Sequence, residues 1–87
     1  MELRIHGRVQ GVGYRYAAAE QARRLGLVGW VRNTENGDVE LTAEGSVEAL
    51  QLLREWCRTG PPAASVTRID EHWLESGPGL AGFEIQR

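Results

Sequence analysis

Lysine is absent from this chain of 87 residues; all ten of its basic residues are arginine. Lysine-based chemistry is thereby excluded, and any anion site must rest on arginine or on backbone N–H groups. Cysteine occurs once, at Cys57, so no disulfide can close within the chain. In a helical apolar pattern that thiol reads as a small buried hydrophobe. His6 and His72 are the only histidines. With one cysteine and no close ligand spacing, they argue against a metal site. No apolar run approaches the roughly 20 residues of a membrane span, and the N-terminus has no signal-peptide pattern. The formal charge is −2, without the basic stripe that marks broad nucleic-acid binding. The expectation is a soluble, cytoplasmic protein, monomeric, with no membrane and no nucleic acid among its partners.

What is present is enough for one modest core. Residues 1–87 are expected to form a single domain, since 41% of them are apolar and 25% charged. Leu3, Ile5, Gly7 and Val9 alternate with Glu2, Arg4, His6 and Arg8, the period of a half-buried strand. Strong helix formers follow from about Arg15 to Leu25, with Ala18, Ala22 and Leu25 along one face and Gly26 placed to end the helix. Residues 27–33 read as a second strand. Asn36–Gly37 signals a hairpin into a third, whose Val39, Leu41 and Ala43 face inward. Ser46 can cap a second helix with Val47, Leu50, Leu53 and Cys57 as its apolar positions and Trp56 in the core.

A fourth strand is expected in "SVTRIDEHWLE", where Ile69 and Trp73 share a face with Glu71, as at an edge or rim. "GPGLAG" makes a turn, and "FEIQR" is a short last strand with Phe83 and Ile85 inward. The order β-α-β-β-α-β plus a tail strand predicts an α+β, ferredoxin-like split βαβ fold, with two helices on one face of an antiparallel sheet. That fold hosts enzymes, RNA binders and regulatory modules alike.

Function has to come from "GRVQGVGYR", residues 7–15, which lies between the first strand and the first helix. The first turn of a helix leaves N–H groups without partners, and its dipole favours negative charge. With Gly11 and Gly13 turning further N–H groups inward, the loop can cradle an anion, and Arg15 can clamp a phosphate bidentately. A plain strand-to-helix turn is the alternative. The stretch lacks the Gly-Lys-Ser/Thr ending of a Walker loop and the G-x-G-x-x-G spacing of a dinucleotide site. Asn33, closing the second strand, either shapes the hairpin or brings a neutral amide beside the cradle.

"GRVQGVGYR" followed by "GWVRNTENGDV", with "VELTAEG" before the second helix and "GFEI" near the end, resembles the acylphosphatase family over nearly the whole chain. The resemblance implies hydrolysis of acyl phosphates to carboxylate and inorganic phosphate, with no metal and no cofactor. It implies that the backbone N–H groups of Val9, Gln10, Gly11, Val12, Gly13 and Tyr14, with the Arg15 side chain, hold the phosphoryl group. It also implies that Asn33 positions the attacking water. Two departures stand out. Tyr14 replaces a frequent phenylalanine and brings a hydroxyl that needs water or a partner. Gln86 replaces a second basic residue and leaves the part played by the C-terminus open.

This inventory suits an acyl phosphate, whose carboxylate leaving group departs without a proton. A phosphate-sensing module of the same fold is the main rival and would not need Asn33. An RNA-binding module would carry aromatics on its third strand, where this chain has "DVELTA". Arg8 and Arg32 read as solvated charge, with anion steering as the alternative. Trp30 reads as packing, and His6 points away from the buried face.

Overall fold

In the computed structural model, which describes residues 1–74 and 79–86, the elements come in the expected order. They are β1 (Glu2–Arg8), α1 (Tyr14–Arg24), β2 (Val28–Asn33), β3 (Val39–Glu44), α2 (Val47–Thr59), β4 (Ser65–His72) and β5 (Phe83–Ile85). The sheet order is β4-β1-β3-β2-β5. Each neighbouring pair among β4, β1, β3 and β2 is antiparallel, and β5 joins β2 in parallel, so the sheet as a whole is mixed. Gly77, Pro78 and Arg87, parts of the expected turn and tail, lie outside the described residues.

Burial follows the alternation in the strands. Leu3 and Ile5, Val31, and Val39, Leu41 and Ala43 pack beneath Ala18, Ala19 and Ala22 of α1 and Leu50, Leu53 and Cys57 of α2 in one cluster. Both helices therefore cover one face. The other face carries Arg4, His6, Trp30, Arg32 and Glu40 toward solvent. There the guanidinium of Arg32 lies 5.3 Å from the Trp30 ring centroid and 3.3 Å from the Glu40 carboxylate.

The register decides where chemistry can occur. Ile5 pairs with Val39, and Val39 with Asn33, so β1 and β2 run the same way on either side of β3. Val31 pairs with Ile85, which brings the end of β5 to the same end of the sheet. Three chain segments thus leave the sheet together: the loop after β1, the hairpin after β2 and the tail after β5. The start of α1 faces them.

Two readings of the apolar pattern need correction. Val47 is exposed; the buried stripe of α2 is Ala49, Leu50, Leu53 and Cys57. At 100° per residue Val47 lies roughly 100° round the helix from the centre of that stripe. Trp73 falls just past β4 and is partly exposed, with Arg54 stacked 6.0 Å from its ring centroid. Ile69 packs against the core from β4, which is an edge strand as its mixed pattern suggested. Trp56 is half-buried, its ring centroid 5.6 Å from that of Tyr14.

Candidate active site

β1 ends in a close approach. The β1–β4 register shifts between His6 and Gly7, and a Cβ on Gly7 would come within 2.1 Å of the Ser65 carbonyl oxygen. Only glycine fits there, and the bulge turns the chain off the sheet into the loop. Gly11 and Gly13 then take the left-handed conformation at φ 74° and 78°, which costs a side-chain-bearing residue roughly 1–2 kcal/mol. Among the described residues, none of the N–H groups from Gln10 to Tyr14 finds a hydrogen-bond acceptor.

The start of α1 is unusual beside that of α2. Gly13 caps α1 with no side-chain bond, and its first turn has no acidic residue. In α2 the Ser46 hydroxyl accepts from the Ala49 N–H at 3.2 Å, and Glu48 occupies the first turn. The positive end of the α1 dipole and its unpaired N–H groups are left for an anion.

Val9, Gly11, Gly13, Tyr14, Arg15, Tyr16 and Asn33 line a cavity of about 110 Å³ at this point. Six of the eight residues singled out in the sequence therefore meet around one small hollow. Gln10 and Val12 do not line it. Val12 packs against the core, and Gln10 turns its side chain away toward the hairpin. Arg15 Nη1 donates to the Gln86 carbonyl at 2.8 Å. No carboxylate pairs with Arg15 among the described residues.

Asn33 Oδ1 is shielded from solvent and has no hydrogen-bond partner. An enclosed, unpaired acceptor costs about 1–3 kcal/mol. Asn33 is one of the residues that line the cavity.

The floor of the hollow is sealed. Tyr14 is 1% exposed, and its hydroxyl donates to the Cys57 carbonyl at 2.8 Å, so the added oxygen is satisfied by protein. Burial pushes the Tyr14 phenol far above its ordinary range and keeps it neutral. Burial also pushes the Cys57 thiol up to about 12, as suits an inert core residue. His6 lies on the open face between Asp38 (3.2 Å from Nδ1) and Asp70 (2.8 Å from Nε2), away from the cavity. Its hydrogen bond, aided by Arg68, holds the exposed Asp70 carboxyl below its usual range. Among the described residues no group of three or more His, Cys, Asp or Glu is placed to hold a metal ion, and no helix is long and apolar enough to cross a membrane.

Three features escaped the sequence. The Gln86 carbonyl belongs to the backbone and has no residue signature. The Gln10 side chain reaches carbonyls far along the chain. Tyr16, 65% exposed at the rim, carried only the signal of its place beside Arg15.

The family model described as Acylphosphatase matches residues 1–85. An acylphosphatase of Thermococcus kodakarensis is 49% identical over 83 residues, covering 95% of this chain and 90% of that protein. One from Methylococcus capsulatus is 56% identical over 83 residues, with the same coverage of both chains. The crystal structure of acylphosphatase from Bacillus subtilis matches with a TM-score of 0.96 at 40% identity, covering 99% of this chain and 96% of that one.

Proposed function

The chain belongs to the acylphosphatase family and hydrolyses the carboxyl–phosphate bond of acyl phosphates, and from that premise we propose how its residues do so. The phosphoryl group sits in the hollow at the start of α1. Backbone N–H groups of residues 9–14 and the guanidinium of Arg15 donate to its oxygens, and Asn33 orients a water toward phosphorus. The observation that carries this assignment is that Gly11 and Gly13 of the loop, Arg15 and Asn33 together line one cavity of about 110 Å³.

The chemistry asks for little more. Phosphoryl transfer passes through a loose transition state with charge spread over the equatorial oxygens, so fixed donors and alignment supply most of the catalysis. The water oxygen bonds to phosphorus as the bond to the acyl oxygen breaks, and its electron pair leaves on the carboxylate. Asn33 has no useful basicity. The proton lost by the water goes to a phosphate oxygen of the substrate itself. Neither metal nor cofactor takes part. Alkyl phosphates, whose leaving alkoxides need a proton, are poor substrates for such a site.

The enzyme acts as a monomer in the cytoplasm on a small-molecule substrate. Support comes from Cys57, free and buried, and from exposed apolar side chains scattered over several elements.

Hydrolysis of acetyl phosphate in ¹⁸O-labelled water tests the assignment. Attack at phosphorus puts the label in inorganic phosphate. Label in the acetate would mean attack at the carbonyl, and the roles given to Arg15 and Asn33 would fall.

A further inference from the structure

Among the described residues one side chain hydrogen-bonds the loop that holds the phosphoryl group to the β2–β3 hairpin. Gln10 Nε2 donates to the carbonyls of both Thr34 and Asp38, each at 2.8 Å. Among the described residues these are the only hydrogen bonds linking loop residues 9–12 to the β2–β3 hairpin. Both acceptors sit at the neck of that hairpin. The Thr34 N–H donates to the Asp38 carbonyl at 2.9 Å, and the Asp38 N–H to Thr34 Oγ1 at 3.2 Å.

The neck is itself anchored. The Asp38 carboxylate receives Arg4 Nε at 3.0 Å and faces His6 Nδ1 at 3.2 Å, both from β1. Thr34 directly follows Asn33, whose Oδ1 has no hydrogen-bond partner among the described residues. The place of Asn33 in the cavity therefore depends on its backbone, and Gln10 joins that backbone to the loop.

Resting on the reading of the site given above, we propose that the Gln10 side chain is a positioning residue that sets the distance between the held phosphoryl group and the water oriented by Asn33. Its amide has two N–H groups, and both are spent on the neck. A displacement of about 1 Å in such an alignment can cost on the order of 100-fold in rate. The contribution of Gln10 to turnover runs through Asn33 and vanishes when Asn33 is removed.

The test is a double-mutant cycle. Gln10→Ala and Gln10→Glu are made in the wild type and in Asn33→Ala, with thermal melts to confirm folding. The isosteric glutamate keeps the volume and removes both donors, so it serves if the alanine variant does not fold. Benzoyl phosphate gives kcat and KM, and inorganic phosphate as a competitive inhibitor reports the cradle. In the wild-type background kcat should fall about tenfold or more, while the phosphate inhibition constant moves less than about threefold. In the Asn33→Ala background the further loss should be under about twofold. Equal losses in both backgrounds, or a loss confined to phosphate affinity, would overturn the positioning role while the phosphoryl site stands. A folded wild type that leaves benzoyl phosphate intact would instead bring down the reading of the site on which it rests.

Discussion

Arg15, in the first turn of α1, is held by Gln86, 71 positions further on: Nη1 donates to the Gln86 carbonyl at 2.8 Å. The Gln86 N–H in turn donates to the Val31 carbonyl of β2 at 2.8 Å. One tail residue thus pins itself to the sheet through its N–H and aims the guanidinium through its carbonyl. Its side chain takes no part in either bond.

Truncation after Ile85 removes both bonds. A hydrogen bond to a charged group is worth about 1.5–3 kcal/mol net, so kcat/KM for an acyl phosphate should fall about tenfold or more. Gln86→Ala keeps the backbone and should leave kcat/KM within about twofold of wild type. Steady-state kinetics on the two variants check this. Equal losses in both would mean that the side chain, not the carbonyl, matters.

The Tyr14 hydroxyl answers a defect at the end of α2. The Cys57 carbonyl would ordinarily accept from the residue four positions on, but that residue is Pro61, which has no N–H. Tyr14 donates there instead at 2.8 Å from a buried position. Tyr14→Phe strands the carbonyl and should lower unfolding stability by about 1–3 kcal/mol, read from urea denaturation. An unchanged midpoint and slope would show that the carbonyl has another way to be satisfied.

Gly7 and Gly11 both have positive φ, but for different reasons. Nothing lies within 4 Å of a Cβ on Gly11, whereas one on Gly7 meets the Ser65 carbonyl oxygen at 2.1 Å and the Thr67 nitrogen at 2.9 Å. Gly11→Ala should cost only backbone strain, about 1–2 kcal/mol. Gly7→Ala must also part β1 from β4 and should destabilise by clearly more. Urea unfolding of the pair decides it: equal costs would mean the bulge yields without strain.

The parts of the fold that were legible are local. Alternation at Leu3 and Ile5, the Asn36–Gly37 turn and the Ser46 cap each act within a few residues, and each stands as read. The hollow was legible for the same reason, because its glycines, its uncapped helix start and Arg15 are consecutive in the chain. Asn33 needed the topology as well, since only the β1-β3-β2 order brings it to the loop. What stayed hidden is carried by backbone carbonyls of distant residues. Gln10 reaches Thr34 and Asp38, Tyr14 reaches Cys57, and Arg15 reaches Gln86. Any residue type supplies a carbonyl, so none of these partners leaves a mark in sequence. The exposure of Val47 was hidden for another reason. Helical periodicity shows that a stripe exists, and only packing against the sheet fixes its centre.

In the proposed arrangement the loop and Arg15 hold the phosphoryl group while Asn33 orients the water. Its most direct test is hydrolysis of benzoyl phosphate beside p-nitrophenyl phosphate, with EDTA present, by wild type, Arg15→Ala and Asn33→Ala, with phosphate affinity measured in parallel. The wild type should turn over the acyl phosphate and leave the aryl ester nearly untouched. Arg15→Ala should lose turnover and phosphate affinity together, and Asn33→Ala should lose turnover alone, each by about 100-fold or more. Asn33→Ala with wild-type turnover would contradict the account and leave the hollow as a phosphate-binding site whose water is placed by something else.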